Sequence, residues 1–180
     1  MSNLDDEFQS ASDAKDKLLD WVTEQASENL QFHIQCAEHI KKEANTTLTV
    51  LLAGVGGASA YTVKLFDAHA AHWLMAAALT FGLSLLLLAA ALILRCLKVD
   101  NIQAPTNEPK HLYLPEYSLQ LLREVELENM QVRITDVRLR NEAVADRLER
   151  IRLYALLVPV ISAAVARTVL AVSAFHGVAH

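Results

Sequence analysis

Two long apolar segments, residues 46–63 and 73–94, constrain this chain more than any other feature of its sequence. Each approaches the ~20 residues that an α-helix needs to cross a bilayer, and neither contains a charged residue. Because only a short turn separates them, they predict a membrane-spanning helical hairpin. A third apolar segment, residues 153–175, has the length of a further span, although it contains Pro159 and Arg167. We therefore expect an all-α membrane protein with three transmembrane helices and the lipid bilayer as its solvent.

Basic residues at the ends of the hairpin indicate its orientation. Lys41 and Lys42 precede the first apolar segment, and Arg95 and Lys98 follow the second. Because cytoplasmic segments carry an excess of lysine and arginine beside membrane ends, we expect both of these ends in the cytoplasm. A third span then places the C-terminus in the periplasm. The acidic N-terminus has no apolar h-region, so we expect no cleavable signal peptide.

Composition and prolines divide the chain into five expected segments. Residues 1–45 form an acidic amphipathic helix, residues 46–97 the transmembrane hairpin, and residues 98–117 a cytoplasmic linker with three prolines. Residues 118–152 form a coiled-coil-like helix, and residues 153–180 form the third transmembrane helix with a short periplasmic tail. The first and fourth segments together make the expected cytoplasmic helical stalk.

The coiled-coil-like helix carries a seam of mostly apolar residues that recur in alternating steps of three and four. Such a seam packs against a partner helix, and a single polar residue in it specifies the register at some cost in stability. Asn141 is the only polar member here. The seam consists of Leu127, Met130, Ile134, Val137, Asn141, Val144, Leu148 and Ile151.

The partner of this seam stays open at the level of sequence. A parallel self-dimer would place arginines of two copies together, for example Arg133 against Arg138. Pairing within the chain suits the charges better, because residues 1–45 hold ten acids and four lysines, whereas residues 123–152 hold seven arginines. The charges could also form a solvated face, since exposed pairs contribute under about 1 kcal/mol each. The expected intrachain pairs are Glu24 and Glu28 with Arg133, and Glu38 and Glu43 with Arg147.

Arg167 is the most unusual residue of the apolar segments. An unpaired arginine inside a span costs at least about 2.5 kcal/mol, so such a residue normally faces protein or water. One interpretation is a pore-lining, anion-attracting or lipid-headgroup site around it. The interpretation that the sequence favours is a tolerated arginine at a thinned bilayer edge, or a third segment that does not span. The polar side chains expected at the same depth are Ser59, Tyr61, Thr80 and Ser84.

Small residues in the first two apolar segments predict close helix packing. Small side chains four residues apart let membrane helices approach each other closely. We expect them to pack the hairpin, and oligomerisation is the alternative. The glycines concerned are Gly54, Gly56, Gly57 and Gly82.

Two cysteines and several histidines raise the question of disulfides and metals. Cys36 and Cys96 fall on the reducing side of the expected topology, and we interpret them as free thiols. Histidines gather on the opposite side, where they could ligate zinc, copper or nickel. Their spacing also arises readily without a metal, so the favoured interpretation is interfacial histidines that bind no ion. These residues are His69, His72, His176 and His180.

Recognisable catalytic motifs are missing from the chain. There is no Ser-His-Asp order, no HExxH and no cysteine-pair zinc motif. The arginines alternate with acids and the net charge is −5, which argues against a nucleic-acid partner. We therefore expect a protein that is not an enzyme and that has no cofactor and no small-molecule substrate.

Two stretches of the cytoplasmic part carry a resemblance to known proteins. Residues 107–115 read NEPKHLYLP, residues 122–134 read LREVELENMQVRI, and a late third span follows. With this pattern the chain resembles a group of small bacterial and prophage-associated membrane proteins of uncharacterised function. A membrane hairpin joined to cytoplasmic helices is also similar to the small membrane effectors of anti-phage defence systems. The first resemblance implies an architecture, a multi-pass protein of the bacterial inner membrane, and no activity. The second implies a membrane-permeabilising role, although the third apolar segment of this chain departs from the effectors that have two spans.

The leading functional hypothesis is a non-enzymatic inner-membrane effector or sensor. Its stalk would receive a signal from a cytoplasmic protein partner and alter the packing of the spans around Arg167. Self-association through the stalk and the small-residue spans is part of this hypothesis. An immunity or scaffold protein that binds another protein is one alternative. A small ion or metal transporter is another, which the lack of acids in the spans disfavours.

Overall fold

The described part of the protein is built from three long α-helices. The computed structural model describes residues 2–98 and 114–177, with side chains for 13–98 and 114–175. The helices are α1 (Ser2–Asp67), α2 (His72–Cys96) and α3 (Leu119–Gly177). All three are long and apolar enough to cross a membrane. For these residues, the prediction of an all-helical chain with three candidate spans is confirmed.

Helix α1 ends in a hydrogen-bonded turn that leads directly into α2. The Ala70 N–H donates to the Leu65 carbonyl oxygen at 2.9 Å, and the His69 N–H donates to that of Phe66 at 3.1 Å. This pair of bonds is a Schellman motif, which satisfies carbonyls that the end of a helix leaves open. His69 has a φ of 52°, the left-handed conformation that this motif requires and that glycine usually supplies. The turn therefore forms at some backbone strain.

A side-chain cap begins α3, which continues through a proline. The Leu121 N–H donates to the Ser118 hydroxyl at 3.3 Å, as expected where Ser precedes a helix. Pro159 lies inside the helix and contributes no N–H to it. One turn later, the buried Ser162 hydroxyl donates to the Val158 carbonyl oxygen at 2.9 Å. Residues 153–175 are therefore helical throughout, as a span requires.

Two of the four boundaries between the five expected segments are not helix boundaries. Helix α1 runs without interruption through both the N-terminal amphipathic segment and the first apolar segment. Helix α3 likewise runs through residues 118–152 into the third apolar segment. Residues 99–113, most of the expected linker, lie outside the described residues, and so does most of the stretch 107–115 that carries the family resemblance.

The chain divides into two compact units, each assembled from segments that are distant in sequence. The first unit draws on Met1–Glu38 and Asp100–Glu142, and the second unit draws on His39–Val99 and Ala143–His180. Helices α1 and α3 contribute to both units, whereas α2 belongs to the second unit alone.

In the second unit, parts of all three helices enclose an apolar core. Leu92 of α2 is fully buried in it, and Ala89 is nearly so. Most other apolar side chains of the spans are exposed, which fits segments whose surroundings are lipid rather than water. The buried members of the core are Ala44, Leu51, Leu85, Ala89, Leu92, Leu148, Ile151 and Val158.

In the first unit, α1 and α3 lie side by side and run in the same direction. Asp20 accepts a hydrogen bond from Arg123, and His33 accepts one from Asn141, which lies further along α3. Positions on both helices therefore increase together, as parallel helices require. Leu30 of α1 packs between Met130 and Ile134 of α3. The core of this unit is small, so its polar contacts contribute to specifying the alignment.

Candidate functional site

All eight residues of the predicted seam lie on the inward face of α3. Five are buried and three are half-buried. Met130 and Ile134 contact Leu30 of α1 in the first unit, and Leu148 and Ile151 belong to the core of the second unit. The seam thus packs within this chain, and α1 supplies residues to both of these cores.

Asn141 makes a specific polar contact at the seam of the first unit. Its side chain is 9% exposed, and its Nδ2 donates to the main-chain carbonyl oxygen of His33 at 2.7 Å. A carbonyl oxygen has two lone pairs, so it can accept this bond and its own helical bond. The contact ties one position of α3 to one position of α1.

Opposite charges also pair between α1 and α3 in the first unit. Arg123 forms an ion pair with Asp20. Lys15 Nζ lies 2.8 Å from Glu124 Oε1, and this hydrogen bond raises the pKa of Lys15 above its ordinary value. Both α1 acids and α1 lysines therefore find partners on α3, so pairing within the chain is not restricted to acids of α1 and arginines of α3.

Arg152 holds α1 and α3 together in the second unit, just before their apolar segments begin. Its Nη2 lies 2.6 Å from the Glu43 Oε2 and 3.2 Å from the Glu43 carbonyl oxygen. Its Nε donates to the Thr47 hydroxyl at 3.0 Å. The hydrogen bond from Arg152 and then its charge lower the pKa of Glu43 below the ordinary value. One guanidinium thereby contacts two successive turns of α1.

Arg147 makes the corresponding contact with α2. Its Nη1 donates to the main-chain carbonyl oxygen of Arg95 at 3.2 Å, near the C-terminal end of α2. A helix C-terminus carries partial negative charge on its open carbonyls, so a cation there is stabilising. Arg147 and Arg152 together link α3 to both other helices of the second unit.

The expected partner of Glu43 is corrected by these contacts. Glu43 pairs with Arg152, more than one helical turn beyond the expected Arg147. We expected Arg147 because residues were counted back from the start of each apolar segment. That count is valid only if the two apolar segments begin at the same height along the helix axes. Arg133, which was expected near Glu24 and Glu28, forms an ion pair with Glu126 of its own helix. Periodicity identifies the seam residues and the charged residues beside them. The partner of each charged residue depends on the axial offset between α1 and α3, which periodicity does not give.

The four glycines of the predicted packing face differ in their surroundings. A Cβ on Gly54 would lie 2.6 Å from Leu85 Cδ1, and one on Gly82 would lie 3.2 Å from Ala58 Cβ. Gly54 and Gly82 therefore lie at close contacts between α1 and α2. A Cβ on Gly56 or Gly57 would meet nothing within 4 Å. These two glycines face away from the described part of the chain.

Arg167 lies on the outside of the second unit. Its side chain is exposed, and it makes no hydrogen bond or ion pair with any residue whose side chain is described. Ser59 and Tyr61 are also exposed, and Ser59 donates to the Val55 carbonyl oxygen of its own helix at 2.8 Å. Thr80 and Ser84 are half-buried. A polar site around Arg167 stays a prediction, because the single chain leaves its guanidinium facing outwards.

The predicted histidine site is only partly described. His69 and His72 flank the turn between α1 and α2, and His69 Nδ1 lies 3.1 Å from the Asp67 carbonyl oxygen. The side chains of His176 and His180 lie outside the described residues. Within the described part of the chain, no group of three or more potential metal ligands occurs. Cys36 and Cys96 are free thiols.

Sequence reasoning missed the role of Arg152 and of the carbonyl oxygens that Arg152 and Arg147 bind. The sequence offered one indication of these roles, the position of both arginines immediately before an apolar segment. Side chains at such positions lie beside the ends of the neighbouring apolar segments. Comparison with known protein families, curated proteins and solved structures found no match to this chain. The fold itself defines the class, a membrane protein with three candidate spanning helices.

Proposed function

We propose that this protein is a non-enzymatic effector or sensor of the bacterial inner membrane that self-associates and perturbs the bilayer. In this proposal the N-terminus is cytoplasmic and the C-terminus periplasmic, in keeping with Lys41, Lys42, Arg95 and Lys98 beside the membrane ends. The first unit is a cytoplasmic helical stalk that receives the signal of a protein partner.

The exposed position of Arg167 is the observation that carries this proposal. It is the only charged residue of the segment 153–175, and its side chain faces outwards. Facing lipid, an arginine at this depth would cost at least about 2.5 kcal/mol. Association of several copies would let Arg167 meet protein or water instead. A ring of such arginines around a water-filled path would perturb the membrane and attract anions.

The glycines that face away from the hairpin are consistent with such an association. Gly56 and Gly57 leave open space beside α1, and small residues in a span let another helix approach closely. Gly54 and Gly82 already serve the contact between α1 and α2. The two sets of glycines would then have separate roles, one within a chain and one between copies.

Apolar side chains exposed on the first unit support a protein partner. On α3, Val125, Val132 and Leu139 repeat every seven residues and are exposed, in addition to the inward seam. On α1, Trp21 and Phe32 are exposed as well. A stripe with this repeat is typical of a helix that packs against another helix. Partner binding there would act on α1 and α3, which also form part of the second unit.

The proposal is tested by membrane depolarisation in bacteria that express wild-type, Arg167→Leu or Arg167→Lys protein at matched levels. A potential-sensitive dye should report depolarisation for the wild type and for Arg167→Lys, which keeps the charge. Arg167→Leu should abolish it while the protein remains in the membrane fraction. Equal depolarisation by Arg167→Leu, or none by the wild type under any tested trigger, would contradict the effector proposal.

A second candidate function is an immunity or scaffold protein that binds another protein without affecting the bilayer. The exposed stripe of Val125, Val132 and Leu139 favours this candidate independently of Arg167. It predicts that replacing these three residues by glutamine abolishes capture of the partner. Arg167→Leu would then have no effect on activity.

A further inference from the structure

Four exposed basic residues of the second unit flank its apolar segments, two at the end of the segment in α2 and two just before the segment in α3. Arg95 and Lys98 are at the end of α2, Arg147 and Arg150 are on α3, and all four are exposed. The bond of 3.2 Å from Arg147 Nη1 to the Arg95 carbonyl oxygen holds two of them side by side. We refer to these four residues as the basic cluster.

The basic cluster forms no ion pair with a described carboxylate. Arg152, just beyond it on α3, is bound to Glu43. Asp146 and Glu149 are the closest acids along α3, and neither forms an ion pair with a described side chain. None of the four cluster residues does so either. The bond to Arg95 uses one of the five N–H groups of Arg147, so most of its donors remain available to an anion.

Exposed apolar side chains adjoin the basic cluster on both helices. Leu94 immediately precedes Arg95, and Leu153 follows Arg150 by about one helical turn. Both leucines are largely exposed, at 71% and 56%. A ligand that fills this surface would offer an anionic group to the cluster and a hydrocarbon chain to the leucines. A free phosphate ion would use only the first of these features.

We infer that the basic cluster binds the headgroup of an anionic phospholipid, whose acyl chains lie along Leu94 and Leu153. Guanidinium groups bind phosphate oxygens through paired hydrogen bonds, and a lysine adds a compact point charge. Basic residues between membrane helices at the cytoplasmic surface attract anionic lipids for these reasons. The inference is independent of the proposed effector function, because an effector and a scaffold would both be held by such a lipid.

The test measures lipid binding to the full-length protein in a neutral detergent. In a bilayer of any composition the apolar segments would insert, so membrane association would not report on the headgroup bound by the cluster. Fluorescent phosphatidylglycerol and phosphatidylcholine with equal acyl chains are titrated against the wild type and the triple variant R95Q/K98Q/R150Q. The triple variant keeps Arg147 and its bond to the end of α2. A matched control, K15Q/K17Q/R138Q, removes the same charge from the first unit. Far-UV circular dichroism checks that each variant is folded.

We expect the wild type and the control to bind phosphatidylglycerol at least about tenfold more tightly than phosphatidylcholine. The triple variant should lose this preference, because each cation near an anionic headgroup contributes about fivefold in affinity. Equal affinity of the wild type for both lipids would overturn the inference. It would also be overturned if the triple variant kept the preference, or if the control lost as much of it. Displacement of the lipid by an equal concentration of inorganic phosphate would show a phosphate site rather than a lipid site.

Discussion

Arg152 Nη2 lies 2.6 Å from the carboxylate Oε2 of Glu43 and 3.2 Å from the main-chain carbonyl oxygen of the same residue. The two oxygens belong to a side chain and to the helix backbone, so one guanidinium fixes both the position of Glu43 and the distance between α1 and α3. The ion pair is partly exposed, with 44% of the Arg152 side chain and 42% of the Glu43 side chain accessible. Its contribution should therefore be sensitive to pH and to salt.

We expect Glu43→Gln to lower the thermal unfolding midpoint at pH 7 and to have no effect at strongly acidic pH. The hydrogen bond and charge of Arg152 lower the pKa of Glu43 in the folded protein. Stabilisation from a lowered carboxyl pKa is complete above the unfolded value of about 4.3 and is lost as the pH falls through the folded value. Circular dichroism in detergent at pH 7, 5 and 3 measures the midpoints of both proteins.

Glu149→Gln is the matched control for this pH dependence. Glu149 is an exposed acid of the same unit and forms no ion pair with a described side chain. Its substitution should leave the midpoint unchanged at every pH. A difference between wild type and Glu43→Gln that was as large at pH 3 as at pH 7, or was absent at pH 7, would contradict a stabilising pair with Arg152.

We expect Asn141→Asp to reduce the free energy of unfolding by about 2 kcal/mol, because it places a carboxylate against the carbonyl oxygen of His33 in a buried position. Asn141→Leu should change it by less than about 1 kcal/mol, since no buried donor is left without an acceptor. Denaturant titration followed by circular dichroism measures both. Asn129→Asp is the control, because Asn129 is exposed on the same helix. Equal effects at positions 141 and 129 would exclude a role for the His33 contact.

Periodicity is informative about the face of a helix that packs, because packing selects apolar residues at every turn regardless of which helix lies opposite. The eight seam residues, including Asn141, are buried or half-buried. The partners of the charged residues did not follow in the same way. Whether Glu43 meets Arg147 or Arg152 depends on the axial offset of α1 and α3, and that offset results from packing along the whole contact.

The glycines show the same limit of sequence reasoning. Gly54 and Gly57 belong to one run of small residues and have similar neighbours in the sequence. Only the position of α2 distinguishes them, since a Cβ on Gly54 would meet the Leu85 side chain and a Cβ on Gly57 would meet nothing within 4 Å. Turn geometry was also beyond the sequence, because a histidine in the left-handed conformation gives no local signal.

We expect His69→Gly to raise the free energy of unfolding by about 1 kcal/mol. His69 has a φ of 52°, and the left-handed conformation costs a residue with a Cβ about 1–2 kcal/mol relative to glycine. Part of this gain is offset by the greater freedom of glycine in the unfolded chain. His69→Ala removes the imidazole but retains the strain, and it should give no gain. Thermal unfolding in detergent compares the three proteins, and equal midpoints for the glycine and alanine variants would argue against backbone strain at this turn.

We expect Gly82→Val to lower the free energy of unfolding by about 1–3 kcal/mol, because overpacking a close helix contact forces the helices apart. A Cβ at position 82 would already lie 3.2 Å from Ala58 Cβ, an atom that no side-chain rotation can move away. Gly57→Val is the matched variant, since a Cβ there meets nothing within 4 Å. It should leave the midpoint of the single chain unchanged and weaken association between copies, as measured by cross-linking in membranes. If Gly82→Val were as stable as the wild type, the close approach of α1 and α2 would be wrong. If Gly57→Val left cross-linking unchanged, the glycines that face away from the hairpin would have no part in self-association.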